Sequence, residues 1–355
     1  MKTIYLVDLE AVSTRYTGQW KTHVPELLKK EGHNVQVISG PTDIPAATTP
    51  GAFLNFGGTN IYKSRQVEIL GRLFCDGAVR PGDHFIFTDA WHPGIINLRY
   101  MSELLQIPVT IHALWHAGSY DPQDFLGRLV GDKPWVRHAE KSFYEAFDHN
   151  YFATQFHIDM FCENLLGRKS SITTYFVKDK IVRTGWPMEY MSETLAPYKG
   201  MPKDDLILFP HRLAPEKQLP IFVDLAQSLP QYQFVVCQEH NLTKDEYHRM
   251  LGQAKIVFSA NLQETLGISC YEGAVVDAIP MVPDRLSYTE MYHDVFKYPS
   301  EWTEDFHCYI ANKQKLCDKI VQFMDHHDKY LPLLREQEED LTENFFSANR
   351  LLHSL

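Results

Sequence analysis

Two successive rounds of alternating strand and helix predict an α/β chain built from two doubly wound domains. Three observations carry this. Short, unbroken apolar runs recur along the chain, as a parallel sheet covered on both faces requires. Segments of helical period lie between them. A polar stretch punctuated by Pro187, Pro197, Gly200 and Pro202 interrupts the alternation once, at 185–203, and reads as a linker.

The first round opens with an apolar strand at 3–7, a polar loop holding Ser13, Thr14, Thr17 and Gly18, a helix at 19–31 ended by Gly32, and a strand at 34–38. Strands follow at 84–88, 109–114, 151–153 and 180–184, with helices at 65–74, 94–105, 137–147 and 155–166. The second round places strands at 206–209, 233–237, 256–259 and 279–282, and helices at 218–228, 244–252 and 269–276. From 313 the tail reads as helical, with Ser347 capping a final short helix. The expected domains are 1–190 and 191–335, with a C-terminal helix at 336–355 packing back on the first.

Length and composition agree: 355 residues, 44% of them hydrophobic, suit two domains. A net charge of −11 provides no general basic field, so a nucleic-acid partner would need a local patch. The six cysteines, Cys75, Cys162, Cys237, Cys270, Cys308 and Cys317, form no CxxC pair and are expected to be reduced, mostly buried thiols of a cytoplasmic protein. The apolar run at the start is too short for a leader, and no window reads as a membrane span. The histidines follow no metal-binding spacing; His326 and His327, in a polar helical stretch, are expected at the surface.

The chemistry concentrates in the second half. Glu264 and Glu272 stand eight apart, with Gly267 between them at the mouth of a helix. The backbone N–H groups around Leu266, Gly267 and Ile268 form an anion site, and the carboxylates suit recognition of hydroxyls. Upstream, Arg212 and Lys217 follow a strand end and precede a helix, a fork and a point charge suited to a diphosphate.

With these residues the sequence resembles the large retaining glycosyltransferases of the GT-B fold, whose signature is a Glu-x7-Glu motif about 50 residues after an Arg-Leu-x-x-Glu-Lys stretch. Here Arg212-Leu213-Ala214-Pro215-Glu216-Lys217 and Glu264…Glu272 stand in that order and separation. Gly18 and Gly32-His33 are similar to that family's N-terminal loop and strand entry, and Pro280–Pro283 with Glu290 is similar to a later segment. Ala153-Thr154 and Thr184 depart from the family's usual Ser and Asn.

The resemblance implies two Rossmann-like domains facing a cleft, and a nucleotide-diphosphate sugar, UDP-linked, as donor. Arg212 and Lys217 would neutralise the departing diphosphate, Glu272 would hold the ribose, and Glu264 would sit by the sugar, with Thr265, Leu266, Gly267, Ile268 and Gly18 lining the donor site. His116, at the end of the 109–114 strand, stands where the family often has a histidine near the donor sugar, a structural or acceptor-positioning role being the alternative; His112 and Asp121 are weaker candidates, and Asp89, Trp91 and His92 follow a strand and are candidates to line the acceptor side. The family retains anomeric configuration without a dedicated base and without a metal.

The acceptor stays open. The stretch from Ser259 also resembles bacteriophage glycosyltransferases, some of which modify hydroxymethylated pyrimidines in DNA. Two stretches interleave basic and aromatic residues, as a polyanion site does. They are Arg168, Lys169, Tyr175, Phe176, Lys178, Lys180 and Arg183, and Arg128, Lys133, Trp135, Arg137 and Lys141. A duplex would have to flip its base out. A glycan or small-molecule acceptor, a nucleotide-sugar epimerase of this fold, and a silent binding protein are the other readings; no membrane partner is expected.

Overall fold

The computed structural model describes residues 2–12, 16–44, 54–131, 133–171 and 179–355. By their contacts these fall into two units. One comprises the described residues of Met1–Ala153, His157–Pro187 and Asn349–Leu355; the other comprises Thr154–Phe156 and Met188–Ala348.

The first unit is built on a six-stranded sheet: β1 (Thr3–Val7), β2 (Asn34–Ile38), β3 (His84–Phe87), β4 (Thr110–Trp115), β5 (His149–Phe152) and β6 (Ile181–Arg183), in the order β2-β1-β3-β4-β5-β6. Every pairing is parallel, with Ile4 opposite both Val35 and His84. Apolar residues on both faces of the sheet are buried, among them Tyr5, Phe85 and Ile111 on one face and Leu6, Ile86 and Leu114 on the other. That is why these strands read as unbroken runs in place of alternating ones. Connections run to opposite sides of β1, so the order reverses between β1 and β3, the point where open α/β sheets take ligands.

The second unit holds five parallel strands: β7 (Leu206–Phe209), β8 (Gln233–Val236), β9 (Ile256–Phe258), β10 (Ile279–Pro283) and β11 (Lys297–Tyr298), in the order β11-β10-β9-β7-β8. Its reversal lies between β7 and β9. The edge strand β11 was not expected: two residues are too short for a periodicity to register.

Several elements differ from the sequence reading, each for a local reason. The helix expected at 65–74 runs over Phe56–Cys75. Gly57 and Gly58 hide its start, and the cap is Asn55, whose side chain accepts from Gly58 N at 2.8 Å. The first helix begins at Tyr16, so Gly18 lies in its opening turn and not in a loop. Ser13 and Thr14 are outside the described residues. The helix at 155–166 is α-helical over Gln155–Phe161 and π-helical over Cys162–Leu166. The stretch at 185–203 contains a helix, Tyr190–Leu195, with Met188, Met191 and Leu195 buried, and Pro197 opens a 3-10 turn. His327 is buried, donating from Nε2 to the Asp277 carbonyl at 2.8 Å, which corrects the surface placement. Cys75 is exposed and Cys308 half-buried; the other four thiols are buried, and all six are free. No helix of the described residues is long and apolar enough to cross a membrane.

Candidate donor site

After β7 the chain turns through His211 and Arg212 into a 3-10 turn, Pro215–Lys217, and then the helix Leu219–Ser228. Arg212 donates to Glu216, whose carboxylate is buried, so the guanidinium is pinned from its own loop. The loops after β7 and β9 are stitched together across the sheet's reversal. Leu262 N donates to Glu216 O at 2.8 Å, and Gln218 Nε2 donates to the carbonyls of Ala260 and Thr303, both at 2.6 Å. Lys217 completes the seam: its ammonium donates to Gln263 O at 2.6 Å and approaches Glu264 Oε2 at 3.3 Å. Two of its three N–H groups are thereby engaged.

Glu264 sits in a loop between β9 and the helix Ile268–Val275, as the spacing predicts. Its Oε1 accepts from Thr265 N at 3.2 Å and Leu266 N at 3.5 Å, and Oε2 accepts from Asn261 Nδ2 at 3.4 Å. Burial pushes its carboxyl up, but Lys217, His211 and the N–H groups of Gly267 and Leu266 outweigh this and hold it below the usual carboxylate range. Gly267 caps the helix in the left-handed region, φ 72°. Thr265 is buried, and its carbonyl accepts from Thr154 Oγ1 at 3.0 Å.

Glu272 lies in the second turn of that helix, outside the Lys217 network. Its Oε2 accepts from the Tyr247 hydroxyl at 2.8 Å. Tyr247 comes from the helix Lys244–Gln253, whose start is fixed by a capping box between Thr243 and Glu246. Burial raises the Glu272 carboxyl to about 7, against the lowering effects of Tyr247 and Lys244.

His116 lies in the first unit, immediately after β4. Its Nε2 bonds the Thr88 carbonyl at 2.6 Å, which fixes the proton on that nitrogen, and its Nδ1 accepts from the Tyr16 hydroxyl at 2.7 Å. Tyr16, Trp20 and Trp186 pack around the ring, Trp186 with its centroid at 4.4 Å. Asp89 pairs with Lys63 at 3.0 Å; burial opposes ionisation, yet Lys63 and His116 bring its carboxyl to about 2. Trp91 donates from Nε1 to the buried Glu140 at 2.9 Å. His92 is buried between Gln66 and Gly94 N, and His112 lies inside the sheet between His84 and Tyr151. Asp121 accepts from the N–H groups of Gln123 and Asp124.

Sequence reasoning missed the residues that hold the loops after β7 and β9 in place. His211 is buried, its pKa lowered to about 3 by burial and Lys217, and it bonds the Phe258 carbonyl at 3.1 Å. Arg285 spends its guanidinium on Asn261 O, Ala260 O, Ser300 O and Thr303 Oγ1, at 2.7–3.0 Å. The only prior signal was the arginine's place just after a strand. Arg285→Lys is expected to cost about 2–4 kcal/mol in urea unfolding, because an ammonium has no fork to span four acceptors.

Among the described residues no group of three or more His, Cys, Asp or Glu side chains is placed to hold a metal ion. In the basic stretches, Tyr175, Phe176 and Lys178 lie outside the described residues. Lys180 pairs with Glu145 at 2.8 Å. Trp135 is 57% exposed, with Lys133 and Lys141 exposed on the same helix or just before it.

No family model matches the sequence, and no curated protein matches it. Solved structures do. Sucrose-phosphate synthase from Thermosynechococcus elongatus aligns over 98% of this chain and 95% of its own, at 12% identity and a TM-score of 0.64. The pneumococcal O-GlcNAc transferase GtfA, in complex with UDP and GlcNAc, aligns over 99% and 97%, at 10% identity and 0.61. HepE from Anabaena, in complex with UDP and glucose, aligns over 98% and 96%, at 12% identity and 0.57. What the chain shares with them is its fold: α/β, GT-B, with two Rossmann-like domains in one polypeptide.

Proposed function

We propose that the protein is a glycosyltransferase that takes a sugar from a UDP-sugar donor and passes it, with retention at the anomeric carbon, to a hydroxyl acceptor. The observation that carries this reading is the seam at the sheet reversal of the second unit, where Arg212, Lys217 and Glu264 are fixed by named bonds. A fork and an ammonium held there stabilise the charge that develops on a departing diphosphate. The loop of Thr265, Leu266, Gly267 and Ile268 adds backbone N–H groups at a helix start. Glu272 takes the ribose. The solved GT-B structures with UDP support the choice of donor.

In this reading the leaving phosphate accepts the acceptor's proton. It is supported by His116, both of whose ring nitrogens already have partners, which suits a positioning residue better than a base. Neutralisation by Arg212 and Lys217 makes a metal unnecessary. For the acceptor, exposed Trp135 with exposed Lys133 two positions before it favours a polyanion, here a hydroxymethylated pyrimidine in DNA.

Incubation with a panel of UDP-, ADP- and GDP-sugars, followed by nucleotide release, tests the donor; selective turnover of a UDP-sugar is expected, and no turnover of any would sink the reading. Mass spectrometry of hydroxymethylated DNA from the same incubations tests the acceptor. Active donor hydrolysis beside unmodified DNA would refute that part alone.

A further inference from the structure

We infer that Tyr247 is a positioning residue for the donor's ribose: its hydroxyl holds one oxygen of Glu272, keeps the carboxylate in its acceptor form for the ligand, and sets the lowest pH at which the donor binds. The inference rests on the reading of Glu272 as the ribose ligand.

The geometry is specific. Glu272 Oε2 accepts from Tyr247 at 2.8 Å, and the two residues come from adjacent helices, 25 positions apart. A ribose diol has two hydroxyls to donate and is matched by an acceptor-only group, so it selects the ionised carboxylate. The protonated acid would offer an O–H where the diol also has donors.

Burial favours the acid form of Glu272, and Tyr247 and Lys244 oppose it. Cys237, after β8, and Cys270, on its own helix, are thiols that burial pushes up to about 12, so they bring no charge at neutral pH. Lys244 supplies the positive charge acting on Glu272, and burial lowers its own pKa. Tyr247 is itself held well above the usual phenol range by burial and by Glu272, so it remains a donor throughout. Burial takes the Glu272 carboxyl to about 7, and Tyr247 is a direct hydrogen bond that favours ionisation.

The sign follows. Below the Glu272 pKa the donor must displace a proton, so affinity falls as pH falls; above it, affinity is level. Removing the Tyr247 hydroxyl removes a lowering influence, so the Glu272 pKa rises and the fall begins at higher pH.

The test is UDP-glucose binding by calorimetry from about pH 5.5 to about pH 9, a range in which its diphosphate diester does not titrate, on wild type, Tyr247→Phe and Glu272→Gln. Wild-type affinity is expected to fall about tenfold per unit below its midpoint. Tyr247→Phe is expected to bind roughly three- to tenfold more weakly near pH 6.5 yet within about twofold of wild type at pH 9, and Glu272→Gln is expected to show no slope. As a probe that needs no variant, a 2′,3′-dideoxy UDP-sugar should bind wild type without the pH slope. A Tyr247→Phe curve offset equally at every pH, or superimposed on wild type, overturns the inference while leaving the donor reading intact. Absence of UDP-glucose binding at every pH overturns the donor reading, and a wild-type slope in Glu272→Gln overturns the role of Glu272.

Discussion

Replacing Lys217 with alanine is expected to lower donor turnover by about a hundred- to a thousandfold, the usual effect of deleting one preorganised contact to charge that forms in the transition state. The Lys217 side chain is 7% exposed and its ammonium is tied to Gln263 O and Glu264, so the charge is held in one place. Binding of the intact donor should weaken much less, because in the proposed reaction the charge that Lys217 would meet is largest after the glycosidic bond has broken. Lys217→Arg is not expected to rescue, since a planar fork does not fit a socket shaped around one nitrogen. The variant should also show a change in stability with a definite pH dependence. In the wild type, Glu264 is held below its ordinary pKa and contributes stability that is present above about pH 4.5 and lost as pH falls through the lowered value. Without Lys217, burial of Glu264 loses its main opposing charge, its pKa rises, and ionising it then costs stability. The deficit of Lys217→Ala is therefore expected to grow as pH rises, and melts at about pH 5 and about pH 8 measure it. Donor turnover within about threefold of wild type would refute the diphosphate role.

The strands were legible because burial on both faces removes the need for polar residues, so Leu206–Phe209 and Ile279–Pro283 announce themselves. Glu264, Arg212 and Lys217 were legible because a strand end followed by a helix start fixes where a short motif points. The partners were hidden because they are set by topology. Tyr247 reaches Glu272 only because the crossover after β8 lays its helix beside the next one, and Arg285 reaches Asn261 from 24 positions away. His327 was misplaced for a related reason: its polar neighbours Asp328 and Lys329 face outward while one ring nitrogen finds the Asp277 carbonyl. The helix start at Phe56 was hidden by residues that lower helix propensity yet are accommodated once Asn55 caps them.

Gly267→Ala is expected to destabilise the second unit by about 2–4 kcal/mol and to weaken donor binding with it. Two terms contribute, and a second glycine separates them. Gly267 and Gly32 both lie in the left-handed region, at φ 72° and 86°. For any residue with a Cβ that conformation costs about 1–2 kcal/mol. At Gly32 nothing lies within 4 Å of an added Cβ, so Gly32→Ala should show the conformational term alone. At Gly267 the new Cβ would stand 2.7 Å from Tyr288 Cε1. Tyr288 is wholly buried and accepts from Asn261 Nδ2 at 3.1 Å, and the same amide reaches Glu264 Oε2 at 3.4 Å. A ring that retreats from residue 267 therefore drags on the amide that holds Glu264, and the clash is transmitted to the proposed donor site. Asparagine, which tolerates the left-handed region, should restore most of the loss at Gly32 but little of it at Gly267. Thermal unfolding of the four variants together with UDP-glucose affinity decides the matter. Equal losses for Gly32→Ala and Gly267→Ala, or full recovery by Gly267→Asn, would show that Tyr288 yields freely and that the glycine serves the backbone alone.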